Sequence, residues 1–302
     1  MNKNNAGLRR LAPFLIVFAA ILWGFDGIVR VSLYTLPPII IVFFEHLIGF
    51  LIISPFLWGA RKAFSLTTTQ WFAIAWVSLL SGLLGTLWFT TALVKTEFIP
   101  FSVVFLLQKL QPLFAIATAS ILLKEKITKR YLLWVVPALI AGFFMTFPDG
   151  RVDLVHPGTL SAALFALGAA VAWGSSTAVS RYALVGQSET VITGLRFFFT
   201  SIFSLVALIL MGQTAALSSP DTSQLFRLVF IALSTGMVAI WFYYKGLKFT
   251  EAKISTMLEL ALPLTAIVID ILWFKNTLQP IQYLSALVLF FCVYQVSRLH
   301  KA

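Results

Sequence analysis

Seven ionisable side chains stand inside long apolar runs of the sequence, where a charge needs a partner or a polar cavity. They are Asp26, Arg30, Glu45, Lys109, Arg196, Glu259 and Asp270. An ionisable group at the centre of a membrane-spanning helix costs at least about 2.5 to 3.5 kcal/mol, and such groups usually face an internal cavity and mark a substrate or ion pathway. These residues therefore indicate binding and transfer across a membrane.

Lys109 is the first candidate, because it lies near the middle of its apolar run, in the segment Gln108-Lys109-Leu110-Gln111-Pro112. Its stem can hardly bring the ammonium group to either membrane surface. Pro112 has no amide hydrogen and frees a carbonyl near Gln108, which only a cavity or a neighbouring helix can satisfy. Two interpretations stay open: Lys109 binds a ligand or couples an ion, or it forms a structural pair with a carboxylate on another helix.

Glu259 is the corresponding candidate in the second half of the chain. A stripe at spacings of three and four predicts one continuous helical face, formed by Thr256, Glu259, Pro263, Ala266 and Asp270. Glu259 lies nearer the centre of its run and is the better candidate for carrying a coupling proton, whereas Asp270 is expected near the membrane interface. The alternative for Glu259 is a fixed ion pair with Arg196.

Two shorter patterns add polar groups. Asp26 and Arg30 are four residues apart, the spacing of an ion pair within one helix, with cavity lining as the alternative. Glu45 and His46 are adjacent in the second run, and a histidine can titrate near physiological pH. A single histidine in an apolar helix is more often a hydrogen-bonded packing residue, so both interpretations of His46 stay open.

Aromatic residues near the middle of the runs predict pocket walls, with ordinary helix packing as the alternative. Trp23 and Trp173 each precede a glycine that permits close helix approach. The predicted substrate-binding residues are Trp23, Gln108, Lys109, Gln111, Trp173, Arg196, Tyr243 and Glu259. The ion-coupling candidates are Glu259, Glu45 and His46, and the predicted helix breaks are Pro112 and Pro263.

Composition requires lipid as the solvent. Of 302 residues, 60% are hydrophobic and only 11% are charged, so the chain cannot cover a large core with a water-soluble shell. The net charge of +11 is dispersed in short clusters between apolar runs, which argues against nucleic-acid binding. One cysteine and three histidines argue against a disulfide framework or a zinc site, and the sequence predicts no metal and no cofactor.

The apolar runs predict an all-α membrane protein with ten transmembrane helices. A span needs about 20 mainly apolar residues, and the runs lie at approximately 13–33, 38–58, 71–93, 98–122, 131–148, 158–184, 189–211, 225–246, 252–274 and 280–297. With the amino terminus inside, fifteen Lys and Arg residues fall on the cytoplasmic side and five on or near the outer side. The positive-inside rule therefore predicts cytoplasmic termini at both ends.

The two halves of the chain repeat one another. Ala19-Ala20 and Trp23-Gly24 recur as Ala169-Ala170 and Trp173-Gly174, and Pro112 recurs as Pro263. The boundaries are 1–150 for spans one to five and 151–302 for spans six to ten. Because five is an odd number of spans, the second half is expected to enter the membrane from the opposite face, as in many secondary transporters.

With these features the chain resembles the drug/metabolite transporter superfamily, in its ten-helix branch of paired EamA-like domains. The resemblance rests on the repeated Trp-Gly pairs, on Ala92-Leu93 and Gly246-Leu247, on the prolines within spans, and on the turn Lys124-Glu125-Lys126-Ile127-Thr128. It implies proton-coupled or exchange transport of metabolites such as amino acids, amines, purines or nucleotide sugars. Lys275-Asn276 departs from the acidic turn that is usual in the second repeat.

The sequence predicts a secondary active transporter, an exporter or exchanger, in the cell (inner) membrane. We expect its substrate to be a small metabolite, namely an amino acid or related zwitterion, carried by alternating access around a central cavity. Transport of an organic anion or a nucleotide sugar is the alternative. An intramembrane enzyme has little support, because no Ser/His or metal-ligand arrangement occurs at helical spacing. A sensor that transports nothing is a further alternative, and the sequence leaves the oligomeric state open.

Overall fold

The computed structural model describes residues 3–60, 66–95, 99–111, 113–114, 117–118, 129–151, 158–250, 255, 258–259 and 261–299. Every regular element in these ranges is helical. The first half contains α1 (Lys3–Val31), α2 (Pro38–Ala60), α3 (Thr68–Val77), π1 (Ser78–Gly85), α4 (Thr86–Leu93), α5 (Phe101–Gln108) and α6 (Lys129–Thr146). The second half contains α7 (Gly158–Ala183), α8 (Glu189–Leu210), α9 (Thr222–Phe230), π2 (Ile231–Val238), α10 (Ala239–Leu247), α11 (Ala261–Ile269), π3 (Asp270–Phe274) and α12 (Pro280–Leu299). A short 3-10 helix at Thr214–Ser218 follows α8.

Six of the described helical segments are long and apolar enough to cross a membrane. They are Leu11–Val31, Pro38–Leu57, Thr68–Leu93, Gly158–Ala183, Glu189–Leu210 and Thr222–Leu247. Three shorter apolar helices lie at Leu132–Met145, Ala261–Phe274 and Pro280–Cys292. The all-helical class is thus confirmed, while the count of ten transmembrane helices stays a prediction.

Large apolar side chains on the outer surface indicate where lipid replaces water. Phe14, Phe72, Leu210 and Phe226 are each at least two-thirds exposed. A water-soluble protein rarely exposes so much contiguous apolar surface. The outer faces of these helices are therefore suited to acyl chains.

The same capping box begins the third and the eighth predicted spans. The Thr67 hydroxyl accepts a hydrogen bond from the Gln70 amide at 3.2 Å, and the Gln70 side chain accepts one from the Thr67 amide at 3.0 Å. Asp221 and Gln224 make the same reciprocal pair at 2.8 and 2.9 Å. Each box satisfies two amide groups that a helix start would leave without partners.

A π-helical segment then follows at the same place in both halves, at π1 and π2. Gly82 in π1 lies against the side chain of Thr200, and Gly236 in π2 lies against Glu45. A Cβ at Gly82 would overlap the Thr200 hydroxyl, so the absence of a side chain lets α8 approach closely. Because π-helical turns are rare and frequently occur at functional sites, π1 and π2 indicate a functional site in the space between them.

Helix packing is symmetric under exchange of the two halves. Helix α2 packs on α8, α6 on α12, and α5 on α11, so each of these helices meets its own counterpart. The contact of α1 with α10 is matched by that of α7 with α4, and the contact of α1 with α11 is matched by that of α7 with α5. The interior is consequently built mostly from contacts between the halves.

The predicted stripe from Glu259 to Asp270 is not one continuous helix. Glu259 lies in a turn and α11 begins at Ala261, which places Pro263 in the first turn, where its missing amide hydrogen is tolerated. Thr256 and Pro112 lie outside the described residues. Helix α5 likewise ends at Gln108, and Lys109 and Leu110 form a turn.

Substitution of Gly174 tests the close contact between α7 and the interrupted fourth run. A Cβ at Gly174 would fall on the main-chain carbonyl of Gln111, so Gly174→Ala should destabilise the protein by about 1 to 3 kcal/mol through overpacking. Thermal unfolding of the purified protein in detergent measures the change.

Gly142→Ala is the matched control. A Cβ at Gly142 would meet only methyl groups of Leu110 and Leu107, at 3.5 and 3.6 Å. Since alanine is the better helix former, this variant should be as stable as the wild type or slightly more stable. Equal melting temperatures for the two alanine variants would contradict the packing described at Gly174.

Candidate functional site

A polar cavity lies between the two halves of the protein. The space between its atoms measures about 880 Å³ including the open mouth, of which about 120 Å³ is reached by the centre of a water molecule. Its wall contains every residue predicted from the sequence to bind substrate or couple ions, namely Trp23, Glu45, His46, Gln108, Lys109, Gln111, Trp173, Arg196, Tyr243 and Glu259. The structure thus brings all of these side chains to one place.

Lys109 and Glu259 form an ion pair across the cavity wall, with 3.5 Å between Nζ and Oε2. Both side chains are more than nine-tenths buried. They stand 150 positions apart, the offset that relates the two halves. The structural ion pair that was one of the two interpretations of Lys109 is therefore present. The predicted pair of Glu259 with Arg196 is wrong, because the carboxylate of Glu259 pairs with the ammonium group of Lys109.

Both members of this pair stand where a helix is interrupted. Lys109 follows the last residue of α5, and Glu259 precedes α11. Pro263, four residues after Glu259, has no amide hydrogen to donate to the Glu259 carbonyl. The Glu259 carbonyl instead accepts a hydrogen bond from the Leu262 amide at 3.0 Å, three residues along the chain and not four as in an α-helix. The Glu259 carboxylate also accepts a hydrogen bond from the Ser255 hydroxyl at 3.3 Å.

Arg30 holds two carboxylates at another part of the wall. It binds Asp26, four residues earlier in α1, so the predicted ion pair within the helix is present. It also binds Glu45 of α2 at 2.7 Å and donates to the Thr90 hydroxyl at 3.1 Å. Thr235 of π2 donates to the second oxygen of Asp26, which links this cluster to the other half.

Arg196 differs from the other cavity cations, because it has no carboxylate partner among the described residues. Its terminal nitrogens donate to the Tyr244 hydroxyl and to Ser81 Oγ, both at 2.8 Å. Its Nε is buried and has no hydrogen-bond partner in the part of the chain that the structure describes. Arg196 therefore offers the cavity one donor that no described residue accepts.

His46 has the contacts of a packing residue. Its Nδ1 donates to the carbonyl of Val42 at 2.8 Å, and its ring packs on Phe197 with 4.9 Å between centroids. A bond to a carbonyl requires the hydrogen on Nδ1, so the neutral ring presents Nε2 as an acceptor.

Two aromatic pairs occupy equivalent places in the two halves. Trp23 packs on Tyr243 with centroids 5.3 Å apart and planes tilted by 56°, and Trp173 packs on Phe89 at 5.4 Å and 59°. The Trp173 indole also donates to the Ser81 carbonyl in π1 at 2.9 Å. Flat, rigid walls of this kind suit a planar aromatic ligand.

Sequence reasoning missed the hydroxyl groups of the wall. Ser176 and Ser180 in α7 line the cavity at the positions that correspond to Asp26 and Arg30 in α1, at an offset of 150. Thr177 lies between them on the same wall. Applying the repeat offset to the charged residues of α1 would have found Ser176 and Ser180.

The described ionisable groups of the cavity balance in formal charge. Arg30, Lys109 and Arg196 carry three positive charges, and Asp26, Glu45 and Glu259 carry three negative charges. When His46 is counted as uncharged, the formal sum is zero. Such a cavity is best suited to a ligand without net charge.

Asp270 stands apart from this site and does not line the cavity. It is fully buried, and its carboxylate accepts a hydrogen bond from the Ser102 amide at 2.6 Å, in the first turn of α5. A negative charge at a helix start is favourable. Asp270 therefore anchors one half on the other.

Comparison with known proteins identifies the family. A model of the EamA-like transporter family matches residues 10–147 and again residues 160–298. The chain belongs to the EamA-like transporter family. This membership confirms the resemblance inferred from the sequence, and it makes the protein an integral membrane transporter of small metabolites and not an enzyme, as the sequence predicted.

Two individual proteins resemble this family member along nearly its whole length. The riboflavin transporter ImpX of Fusobacterium nucleatum subsp. nucleatum (strain ATCC 23726 / VPI 4351) is 35% identical over 293 residues, which cover 95% of this chain and 97% of that protein. A crystal structure of a protein 16% identical aligns with a TM-score of 0.66 over 96% of this chain and 97% of the other. The second likeness concerns the fold alone.

The Lys109–Glu259 pair of this EamA-like transporter can be tested by a double-mutant cycle. Lys109→Met leaves a buried carboxylate without its cation, and Glu259→Gln leaves a buried ammonium without its anion. Each single variant should lose roughly 3 to 5 kcal/mol of stability. The double variant should lose less than either, because no unpaired charge remains. Thermal unfolding in detergent gives the comparison.

The control is the exposed pair of Lys248 with Glu189, at 3.4 Å, whose side chains are 32% and 20% exposed. Lys248→Met should change stability by only about 0 to 1 kcal/mol. A double Lys109 and Glu259 variant less stable than both single variants would show that charge pairing is not what couples these residues.

Proposed function

We propose that the protein carries riboflavin, or a closely related neutral flavin, across the membrane. The observation that carries this proposal is the cavity itself, whose formal charges balance and whose walls contain two aromatic pairs. Riboflavin combines a flat aromatic ring system with a chain of hydroxyl groups and has no net charge near neutral pH. The 35% identity with a riboflavin transporter over 95% of the chain supports the same substrate.

The parts of the cavity correspond to the parts of this substrate. Trp23, Tyr243, Trp173 and Phe89 provide surfaces on which a tricyclic ring stacks. Ser176, Thr177 and Ser180 provide hydroxyl groups for the polyhydroxylated chain. The part of the cavity that the centre of a water molecule reaches is about 120 Å³, less than the roughly 300 to 1,000 Å³ typical of small-molecule sites, so this proposal requires the cavity to widen around the ring.

The predicted zwitterion substrate has less support from the geometry. It requires Lys109 to bind a carboxylate and Glu259 to bind an ammonium group, yet these two side chains neutralise each other. An organic anion is favoured by one feature, the unpaired Nε of Arg196. We keep it as the second candidate, with the phosphorylated flavin FMN as its natural probe.

We propose alternating access between two oppositely inserted halves, residues 1–150 and 151–302, in the inner membrane with both termini in the cytoplasm. The symmetric contacts between the halves support this arrangement, as do the helix interruptions at Lys109 and Glu259. Inverted repeats that surround broken helices near the bilayer midplane are a common transporter architecture.

A coupling proton, if one is used, has two places to bind. Glu259 was the first choice from the sequence, but it has Lys109 as its own counter-ion. Glu45 shares Arg30 with Asp26, so this cluster has one carboxylate more than it has cations. We therefore propose the cluster of Asp26, Arg30 and Glu45, which contains the predicted candidate Glu45, as the better place for a coupling proton.

The inverted topology predicts labelling from opposite sides of the membrane. Tyr34 follows α1 and Val185 follows α7, and both side chains are about two-thirds exposed. Because Cys292 is the only cysteine of the chain, Tyr34→Cys and Val185→Cys can each be made in a Cys292→Ser background. A membrane-impermeant maleimide applied to intact cells should label position 34 and not position 185. Labelling of both from outside would contradict the inversion.

Counterflow in proteoliposomes tests the substrate. Vesicles preloaded with riboflavin should accumulate labelled riboflavin, and an equal excess of FMN or amino acids should not compete. Trp173→Ala should weaken binding by the roughly 1 to 3 kcal/mol of one stacking contact, or about five- to 150-fold in Kd. Trp76→Ala, at an exposed position on α3, is the control that should transport like the wild type.

The other outcomes of the counterflow assay have definite meanings. Exchange driven by amino acids but not by riboflavin would replace the proposal with the zwitterion function. Stronger exchange with FMN than with riboflavin would favour the organic-anion function.

A further inference from the structure

Gln108 is the last residue of α5, and it lines the cavity beside the Lys109–Glu259 pair. Its side chain is 1% exposed. Neither Nε2 nor Oε1 has a hydrogen-bond partner among the described residues. A buried carboxamide in this state is destabilising for the protein alone, so its presence calls for an explanation outside the protein's own packing.

The neighbouring polar groups show how unusual this is. The carboxylates of Asp26, Glu45 and Glu259 all have partners on the cavity wall. Among the described side chains with unpartnered buried atoms, Ser102 and Thr193 do not line the cavity, whereas Gln108 does. Arg196 also lines it, but its free Nε offers a donor alone and cannot recognise a donor on a ligand.

A carboxamide presents one donor and one acceptor side by side in a plane. Its complement is a ligand edge with an acceptor and a donor side by side, as in a ring lactam or imide. The pyrimidine ring of oxidised riboflavin has such an edge, where the only N–H of the ring system, at N3, lies between two carbonyl groups. The rest of the ring perimeter offers apolar C–H groups and acceptors without hydrogen.

We propose that Gln108 is the specificity-determining residue for the imide edge of the flavin ring. Its Oε1 accepts the hydrogen of N3, and its Nε2 donates to an adjacent ring carbonyl. This assignment rests on the proposed transport of riboflavin and adds to it which side chain recognises the ring. The aromatic pairs contribute stacking, which any flat ring satisfies, and Gln108 contributes selection among flat rings.

The test compares riboflavin with 3-methylriboflavin, in which a methyl group replaces the N3 hydrogen and the rest of the molecule is unchanged. Quenching of flavin fluorescence by the purified full-length protein in detergent gives both Kd values. A buried polar site rejects a ligand that leaves its groups unpaired, so wild-type protein should bind 3-methylriboflavin at least about tenfold more weakly.

Gln108→Met keeps the length of the side chain and removes both hydrogen-bonding atoms. It should weaken riboflavin binding by about tenfold or more and bring the ratio of the two Kd values close to one. Since Gln108 has no hydrogen-bond partner among the described residues, the variant should unfold at the wild-type temperature or above it. Thr193→Val, which removes a buried unpartnered hydroxyl outside the cavity, should keep the wild-type ratio.

The outcomes separate this inference from the proposed function. If wild-type protein binds both flavins equally well, or if Gln108→Met keeps the full preference for riboflavin, the role of Gln108 is refuted and riboflavin transport stands. If wild-type protein binds neither flavin, both proposals fail together. The comparison of the two flavins on wild-type protein decides the matter even if the variant does not fold.

Discussion

The interior of this transporter depends on one electrostatic constraint, which is that buried charges must be balanced where little water reaches them. Lys109 and Glu259 meet this constraint across the boundary between the halves, because each supplies the counter-ion of the other. The Arg30 cluster extends across the same boundary through Thr235. The two halves are therefore held together at the cavity by polar contacts in addition to the helix packing around it.

The repeated scaffold carries different chemistry at equivalent places. The capping boxes, the π-helical segments and the tryptophan-centred aromatic pairs recur in both halves. The charged residues of α1, by contrast, correspond to Ser176 and Ser180 in α7. A symmetric fold thus gives an asymmetric cavity, with charge on one wall and hydroxyl groups on the other, and such a cavity suits a ligand with two unlike ends.

Sequence reasoning predicted the helical class and the family. It also predicted the residues that meet in the cavity, because a charged side chain within an apolar span is unfavourable unless it faces a polar cavity or a partner, and this applies to Lys109, Arg196 and Glu259. It could not predict which charges pair. The pair of Lys109 with Glu259 joins residues 150 positions apart, and its geometry depends on two helix interruptions whose local bends sequence periodicity does not encode. Because periodicity does not encode the interruption at Glu259, sequence reasoning also treated the run from Glu259 to Asp270 as one helix face.

Charge balance in the cavity has an energetic consequence for transport. A membrane potential of 100 mV contributes about 2.3 kcal/mol for each elementary charge that crosses the bilayer. A neutral substrate that binds in a cavity without net charge carries no charge across, so the potential does not act on it. Uphill accumulation then requires a second species that binds in one state of the cavity and leaves in the other. We propose that the cluster of Asp26, Arg30 and Glu45 binds this second species, since it contains two carboxylates for one guanidinium and lies against π2 of the opposite half.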